Sequence, residues 1–222
     1  MFFIECNHLA KNFGKTIVFR QLDFTFKGDL CIGIEGANGS GKSTLLKCLC
    51  GLLRPTSGKI RWMEHNNEIS LQSIRNFIGF AAPYIQLYHD LTVAENLAFL
   101  HRVRPSDSSV TFSTNQPESP HQSTPPPHQH IAALMELTSL TALAHRDYGT
   151  LSSGQQQRAR IAAALVSDPP ILMLDEPGTN LDAEGFSLVS GLISRHKKRG
   201  GMVFIASNRQ EELQLCDEHV VL

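Results

Sequence analysis

The run Gly36-Ala37-Asn38-Gly39-Ser40-Gly41-Lys42-Ser43-Thr44 satisfies G-x-x-x-x-G-K-[ST] at every fixed position. Its glycines let the backbone fold closely around phosphate oxygens with no Cβ in the way. Successive N–H groups, backed by the positive end of the following helix, then cradle the anion. Lys42 is placed to neutralise β- and γ-phosphates, and Ser43 to offer its hydroxyl to Mg²⁺. A second cluster is Ile171-Leu172-Met173-Leu174-Asp175-Glu176-Pro177, followed by Asn180-Leu181-Asp182. Four apolar residues predict a buried strand that delivers two acids at its carboxyl end, where ligands bind in such sheets. Asp175 is the candidate Mg²⁺ acid. Glu176 faces a different way and can orient or deprotonate an attacking water. The third cluster, Leu151-Ser152-Ser153-Gly154-Gln155, opens another helix. Ser152 is a natural N-cap with Gln155 placed for the reciprocal bond, so this helix end also suits phosphate contacts.

The elements that must position these groups are legible from periodicity. Leu22 to Lys27 alternates apolar and polar residues, the pattern of a half-buried strand, and Leu30 to Ile34 is nearly all apolar, as in a strand buried on both faces. The P-loop run then leads into a helix predicted from Lys42 to Leu52, with strands following at Lys59 to Met63 and Phe77 to Ala81. Thr92, with Glu95 three residues on, predicts a capped helix through Arg102. Residues 104–130 are rich in Pro, Ser, Gln and His with little to bury, and read as a flexible insert. Helical periodicity resumes at Ile131 and at Ser153 to Val166. A strand at Ile171 to Leu174, a helix at Ala183 to Lys198, a strand at Met202 to Ala206, a short helix near Gln210 to Cys216 and a final strand complete the pattern. Strands alternating with helices imply a largely parallel α/β sheet.

Composition narrows the class. With 222 residues, 41% hydrophobic and a formal charge of −1, the chain can bury a sizeable core and lacks the basic balance of a nucleic-acid binder. No apolar run reaches the ~18–20 residues of a spanning helix, and Met1 to Glu5 lacks a signal peptide's basic region. Five scattered cysteines without a CxxC pair fit reduced thiols of a cytoplasmic protein. Cys48 and Cys50 point to different faces of one helix, which favours core packing over metal ligation. His121, His128 and His130 lack the acid or cysteine that would complete a metal site.

The set GANGSGKST, LSSGQQQRARIAAAL and ILMLDEPGTNLD, in this order and spacing, resembles the nucleotide-binding domains of ABC ATPases over nearly the whole chain. LSSGQ differs from the family's usual LSGGQ at Ser153. The resemblance implies a single ABC ATPase domain over residues 1–222, with ATP and Mg²⁺ as cofactors. Its fold is expected to be α/β, a P-loop NTPase core with a mainly parallel sheet, an N-terminal antiparallel β portion and a helical subdomain near 91–165. It also implies a head-to-tail homodimer or pseudo-dimer, each ATP lying between one subunit's P-loop and the other's Ser152, Ser153, Gly154 and Gln155. The motor would sit in the cytoplasm, peripheral on the inner membrane face through a separate transmembrane permease. Phe13 falls where an aromatic ring stacks on adenine; a core phenylalanine at a strand end is the competing reading. The compact form and Ala82-Pro83-Tyr84 are similar to small bacterial exporter ATPases, including heme-exporter ATP-binding proteins.

Two departures stand out. Pro83 occupies the position of a family glutamine that contacts Mg²⁺, and Gln86 lies three residues on, which leaves ligation from this loop open. After Ala206 the family commonly carries a γ-phosphate-contacting histidine, and here Asn208 takes its place. An amide donates a hydrogen bond but does not titrate near neutral pH. Because Glu176 is retained, slow rather than absent hydrolysis is expected, with Glu176, Lys42 and Asn208 as the catalytic set. Among soluble alternatives, a DNA-repair ATPase needs a long coiled coil, which the proline-rich insert excludes. A ribosome-associated factor normally has two such domains. A P-loop kinase or GTPase leaves LSSGQ unexplained.

Overall fold

The computed structural model describes residues 1–103 and 127–222. Strands β1 (Phe2–Phe13) and β2 (Thr16–Lys27) form a hairpin; β4 (Ser57–Glu64) pairs with the other edge of β1, and β5 (Asn67–Ile69) with β4. This sheet is antiparallel throughout. The pattern of β1 starts as clean alternation, with Phe2, Ile4 and Cys6 buried. Register shifts after Cys6, with His8 at φ 48°, then break the alternation, which is why periodicity alone gives β1 no clear outline.

The second sheet is parallel, in the order β6 (Ile78–Ala81), β7 (Ile171–Asp175), β8 (Met202–Ser207), β3 (Cys31–Glu35), β9 (Glu218–Val221). Its inner strands are apolar on both sides because both faces are covered. Ile171 and Met173 join the core shared with α1 (Lys42–Leu49) and the antiparallel sheet. Leu172 and Leu174 face α4 (Ser153–Leu165) and α5 (Ala183–Lys198). Trp62, fully buried under α1, donates its indole N–H to the Leu49 carbonyl at 2.9 Å.

A third apolar cluster joins α2 (Val93–Val103), α3 (Pro127–Leu137) and one side of α4. At the start of α2 the expected box is formed: Thr92 N–H donates to Glu95 Oε2 at 2.8 Å, and Glu95 N–H to Thr92 Oγ1 at 3.2 Å. The short α6 (Gln210–Leu213) follows β8. Among the described residues no helix is long and apolar enough to cross a membrane.

Several boundaries differ from expectation, and strand β2 begins at Thr16, six residues before Leu22. Helix α1 ends at Leu49 rather than Leu52, because Gly51 turns the chain at φ 70°. Helix α6 stops at Leu213, short of Cys216. Residues 127–130 belong to α3 and not to the insert, with Pro127 at the first helical position, where its missing N–H costs nothing. The rest of the insert, with His121, lies outside the described residues. His130 Nε2 and His101 Nδ1 both approach the Val166 carbonyl, at 2.9 and 3.3 Å. Cys48 and Cys50 are buried, and no cluster of potential metal ligands occurs among the described residues.

Candidate active site

Strand order decides where the site lies. β7, β8 and β3 are consecutive neighbours in the parallel sheet, and each ends at a segment singled out from sequence. β3 runs into the P-loop, β7 ends on Asp175, and β8 runs into Asn208. The three segments therefore converge along one carboxyl edge.

In the P-loop, Gly36, Gly39 and Gly41 all have positive φ, at 154°, 81° and 107°. Gly41 caps α1 in the left-handed region, and a Cβ there would lie 2.4 Å from Val18 Cγ1, so a side chain is excluded twice over. A tight turn donates the Ser40 N–H to the Ala37 carbonyl at 3.1 Å. Lys42 is only 6% exposed, and its ammonium donates to the carbonyls of Gly36 and Ala37 at 2.8 and 3.0 Å. Ser43 and Thr44 form the next positions of α1. The buried Ser40 hydroxyl has no protein partner. The loop is closed by its own lysine at the N-terminus of α1, a place that suits an anion.

Asp175 is 2% exposed, and neither carboxylate oxygen makes a hydrogen bond. Burial raises its pKa above the ordinary carboxylate value, against the opposing pull of the nearby Ser43 and Tyr84 hydroxyls. An orphaned buried carboxylate beside a P-loop hydroxyl is the donor set a hard divalent cation prefers, so these residues fit Mg²⁺. Glu176 is more open and sits in the left-handed region at φ 47°. That conformation costs a non-glycine residue about 1–3 kcal/mol and persists only where its surroundings fix it. Here its N–H donates to the Ala206 carbonyl at 2.8 Å, and its Oε2 accepts from Thr179 Oγ1 at 3.4 Å.

Asn208 reaches the P-loop: its Nδ2 donates to Asn38 Oδ1 at 2.8 Å. At the head of α4 the capping box is complete, with Gln155 N–H donating to Ser152 Oγ at 3.3 Å and Ser152 N–H to Gln155 Oε1 at 3.0 Å. Ser152 and Ser153 are exposed, and Gly154 and Gln155 partly so. Phe13 ends β1 with 54% of its surface exposed and the Lys11 ammonium 4.8 Å from its ring centre, so it is not a core residue. After β6, Gln86 lines a 300 Å³ cavity with Leu100 and Arg160, and neither Asp175 nor Ser43 takes part in that lining.

Several residues of the site escape motif reading. Tyr84 follows Pro83 directly; burial and the Asp175 carboxylate beside it raise its phenol pKa, and the Lys47 ammonium lies 4.0 Å from its ring centre. Gln157 is buried in α4 and donates to the carbonyl of Pro177 at 3.1 Å and of Glu176 at 3.4 Å. One signal pointed to it: Gln157 shares the buried helix stripe of Ile161 and Ala164, and a polar residue on such a stripe must have a partner.

A P-loop after β3 and two consecutive acids at the end of β7, the first buried and metal-competent, define a P-loop nucleotide-hydrolysing protein. Comparison with known proteins gives the family. The ABC transporter family profile matches residues 19–179. The cytochrome c biogenesis ATP-binding export protein CcmA of Rhizobium etli is 31% identical, over 97% of this chain and 92% of its own length. The Nod factor export ATP-binding protein I of Burkholderia lata is 32% identical over 99% of this chain and 67% of its own length. The chain spans only 60% of the sulfate/thiosulfate import ATP-binding protein CysA 1 of Agrobacterium fabrum. Among solved structures, cbiO1 of Clostridium perfringens superposes with a TM-score of 0.74 at 26% identity, covering 98% of this chain and 83% of that one. A bacterial ABC transporter cassette solved as a dimer has the same fold, with a TM-score of 0.81 at 24% identity over 99% of this chain and 94% of that one. The chain belongs to the ABC transporter family.

Proposed function

We propose that this chain is the ATPase motor of a membrane transporter, working as a homodimer or paired with a second ABC ATPase beneath a separate transmembrane permease. The observation that carries the reading is the convergence of the P-loop, after β3, and the Asp175–Glu176 pair, after β7, along one carboxyl edge of the sheet, with β8 between them. Lys42 and the P-loop amides hold the β- and γ-phosphates of ATP, and Phe13 offers its exposed ring to adenine. Ser43 and Asp175 would hold Mg²⁺, which would supply positive charge to offset the charge developing on the phosphates. Glu176 orients the attacking water and accepts its proton. Asn208 donates its amide N–H at the γ-phosphate side of the loop. Ser152, Ser153, Gly154 and Gln155 present a second capped helix end to the ATP held by the other subunit, which gives one chain two phosphate-binding helix ends a use.

The motor would be cytoplasmic and peripheral, since its transport role needs a partner that spans the membrane. A pull-down of the tagged chain from detergent-solubilised native membranes, read by mass spectrometry, tests this. A multi-spanning protein recovered in stoichiometric amount is the expected result. Recovery of the chain without any membrane protein would overturn the transporter reading and favour a non-transport ABC ATPase.

A further inference from the structure

The turn after β8 touches both halves of the site. Asn208 reaches the P-loop through Asn38, while the next residue, Arg209, turns to the acid segment and donates Nη1–H to the Gly178 carbonyl at 2.9 Å. The Gly178 N–H, on the other side of the same residue, donates to Glu212 Oε1 at 3.1 Å. Arg209 and Glu212 themselves lie 3.6 Å apart, and the Glu212 side chain is 1% exposed. Gly178 is therefore held by its amide and its carbonyl at once, by an ion pair projecting from α6 and its N-cap. Gly178 stands two residues after Glu176, and the intervening turn is closed by Thr179 N–H donating to the Glu176 carbonyl at 3.1 Å.

We propose that Arg209 and Glu212 are positioning residues for Glu176, gripping the carbonyl and amide of Gly178 so that the Glu176 carboxylate is presented towards the P-loop. The proposal rests on the reading of Glu176 as the water-activating group. Burying a carboxylate and a guanidinium-bonded carbonyl in this corner is costly unless each is paired. Glu212 Oε1 is paired with the Gly178 N–H and the Gly178 carbonyl with Arg209, which leaves the following turn little freedom, while the buried Glu212 Oε2 has no hydrogen-bond partner. Gln157 holds the same segment from the opposite side through the Pro177 carbonyl, so the acid turn is braced from α4 and from α6. Arg209 acts on Glu176 through the Gly178 backbone, so its loss should lower turnover without weakening nucleotide binding.

The test uses the purified full chain and steady-state ATP hydrolysis. Arg209→Ala should reduce kcat about 10-fold or more, as small misplacements of reacting groups do, with KM for ATP within about twofold. Arg209→Lys, which keeps a cationic donor, should recover most of the loss. Glu212→Leu, of similar bulk, gives a second route to the same kcat effect if Arg209→Ala lowers the melting temperature. The decisive comparison is made in a Glu176→Gln background, itself expected to be about 10²-fold slower than wild type with ATP binding kept. There Arg209→Ala should cost nothing further, because the group it positions is already gone. Wild-type turnover in Arg209→Ala and Glu212→Leu would overturn the proposal, and so would an equal further drop in the Glu176→Gln background. Unchanged turnover in Glu176→Gln alone would remove the base assignment and the positioning role with it. A slow Glu176→Gln beside a normal Arg209→Ala would sink only the positioning role.

Discussion

At position 208 the side chain facing the P-loop is an amide already committed to Asn38 at 2.8 Å. An imidazole there has a longer reach and can carry charge near neutral pH, so it can stabilise the γ-phosphate as negative charge shifts during hydrolysis. Asn208→His is therefore expected to raise kcat by about 10-fold or more, within the roughly 10²–10³-fold that one preorganised donor is worth. An unchanged turnover rate would show that Asn208 does not limit hydrolysis. His196 gives a different kind of test. Its ring is buried, with Nε2 3.3 Å from the Pro170 carbonyl, and it faces Asp168 and Arg199. Burial holds its pKa below the ordinary 6.5, outweighing the Pro170 carbonyl and Asp168, which raise it. Well above that value the ring is neutral in folded and unfolded chains alike. As pH falls below about 6.5 the unfolded chain binds the proton and the folded chain does not, so stability is lost on acidification. Melting temperatures across this range should fall more steeply for wild type than for His196→Gln; parallel curves would refute the assignment. Fixed patterns made the P-loop, Ser152–Gln155 and the acid pair legible in sequence. The bond between Asn208 and Asn38 joins residues 170 positions apart, and Glu212 meets Gly178 across 34. Such contacts depend on how β8 lies between β7 and β3, and no local spacing encodes them.

Helix α4 rests against β6. A Cβ on Gly79 would lie 2.2 Å from the Ala164 carbonyl oxygen and 2.7 Å from Pro169 Cγ, so the helix backbone rests directly on the strand. Gly79→Ala must push α4 off the sheet, and overpacking of this kind costs about 1–3 kcal/mol. Thermal melting should report that loss, and a variant as stable as wild type would show that α4 shifts freely. The same pair illustrates what periodicity can and cannot find. β7 and β8 are apolar throughout because two covered faces demand it, and both are plain in the sequence. β1 carries Asn7 and His8 at its irregular middle, and β5 has only three residues, so neither stands out. The start of α3 hides inside a proline-rich run, since proline at a first helical position looks the same on paper as proline in a loop.

Across the whole molecule, burial is divided. The helices α2 and α3 belong to one apolar cluster, with Val93, Leu97, Ile131 and Leu134 in its centre. The parallel sheet is packed by two others, one beneath α1 and one beneath α5. Helix α4 feeds both sides: Ala159, Ala162 and Ala163 enter the helical cluster, and Ile161 and Ala164 enter the sheet cluster. Regions with separate cores open separately. Amide hydrogen exchange is expected to be faster in α2 and α3 than in β3, β7 and β8, with α4 protected to the level of the sheet; one uniform protection factor would contradict this. The shared helix has a consequence for behaviour on warming. Ser152–Gln155 begins α4, so it is anchored to the part that melts last, together with the P-loop and both acids. On that reading, mild heat would first fray the helical layer, while the chain continued to turn over ATP. Coupling to transport would then fail at a lower temperature than catalysis.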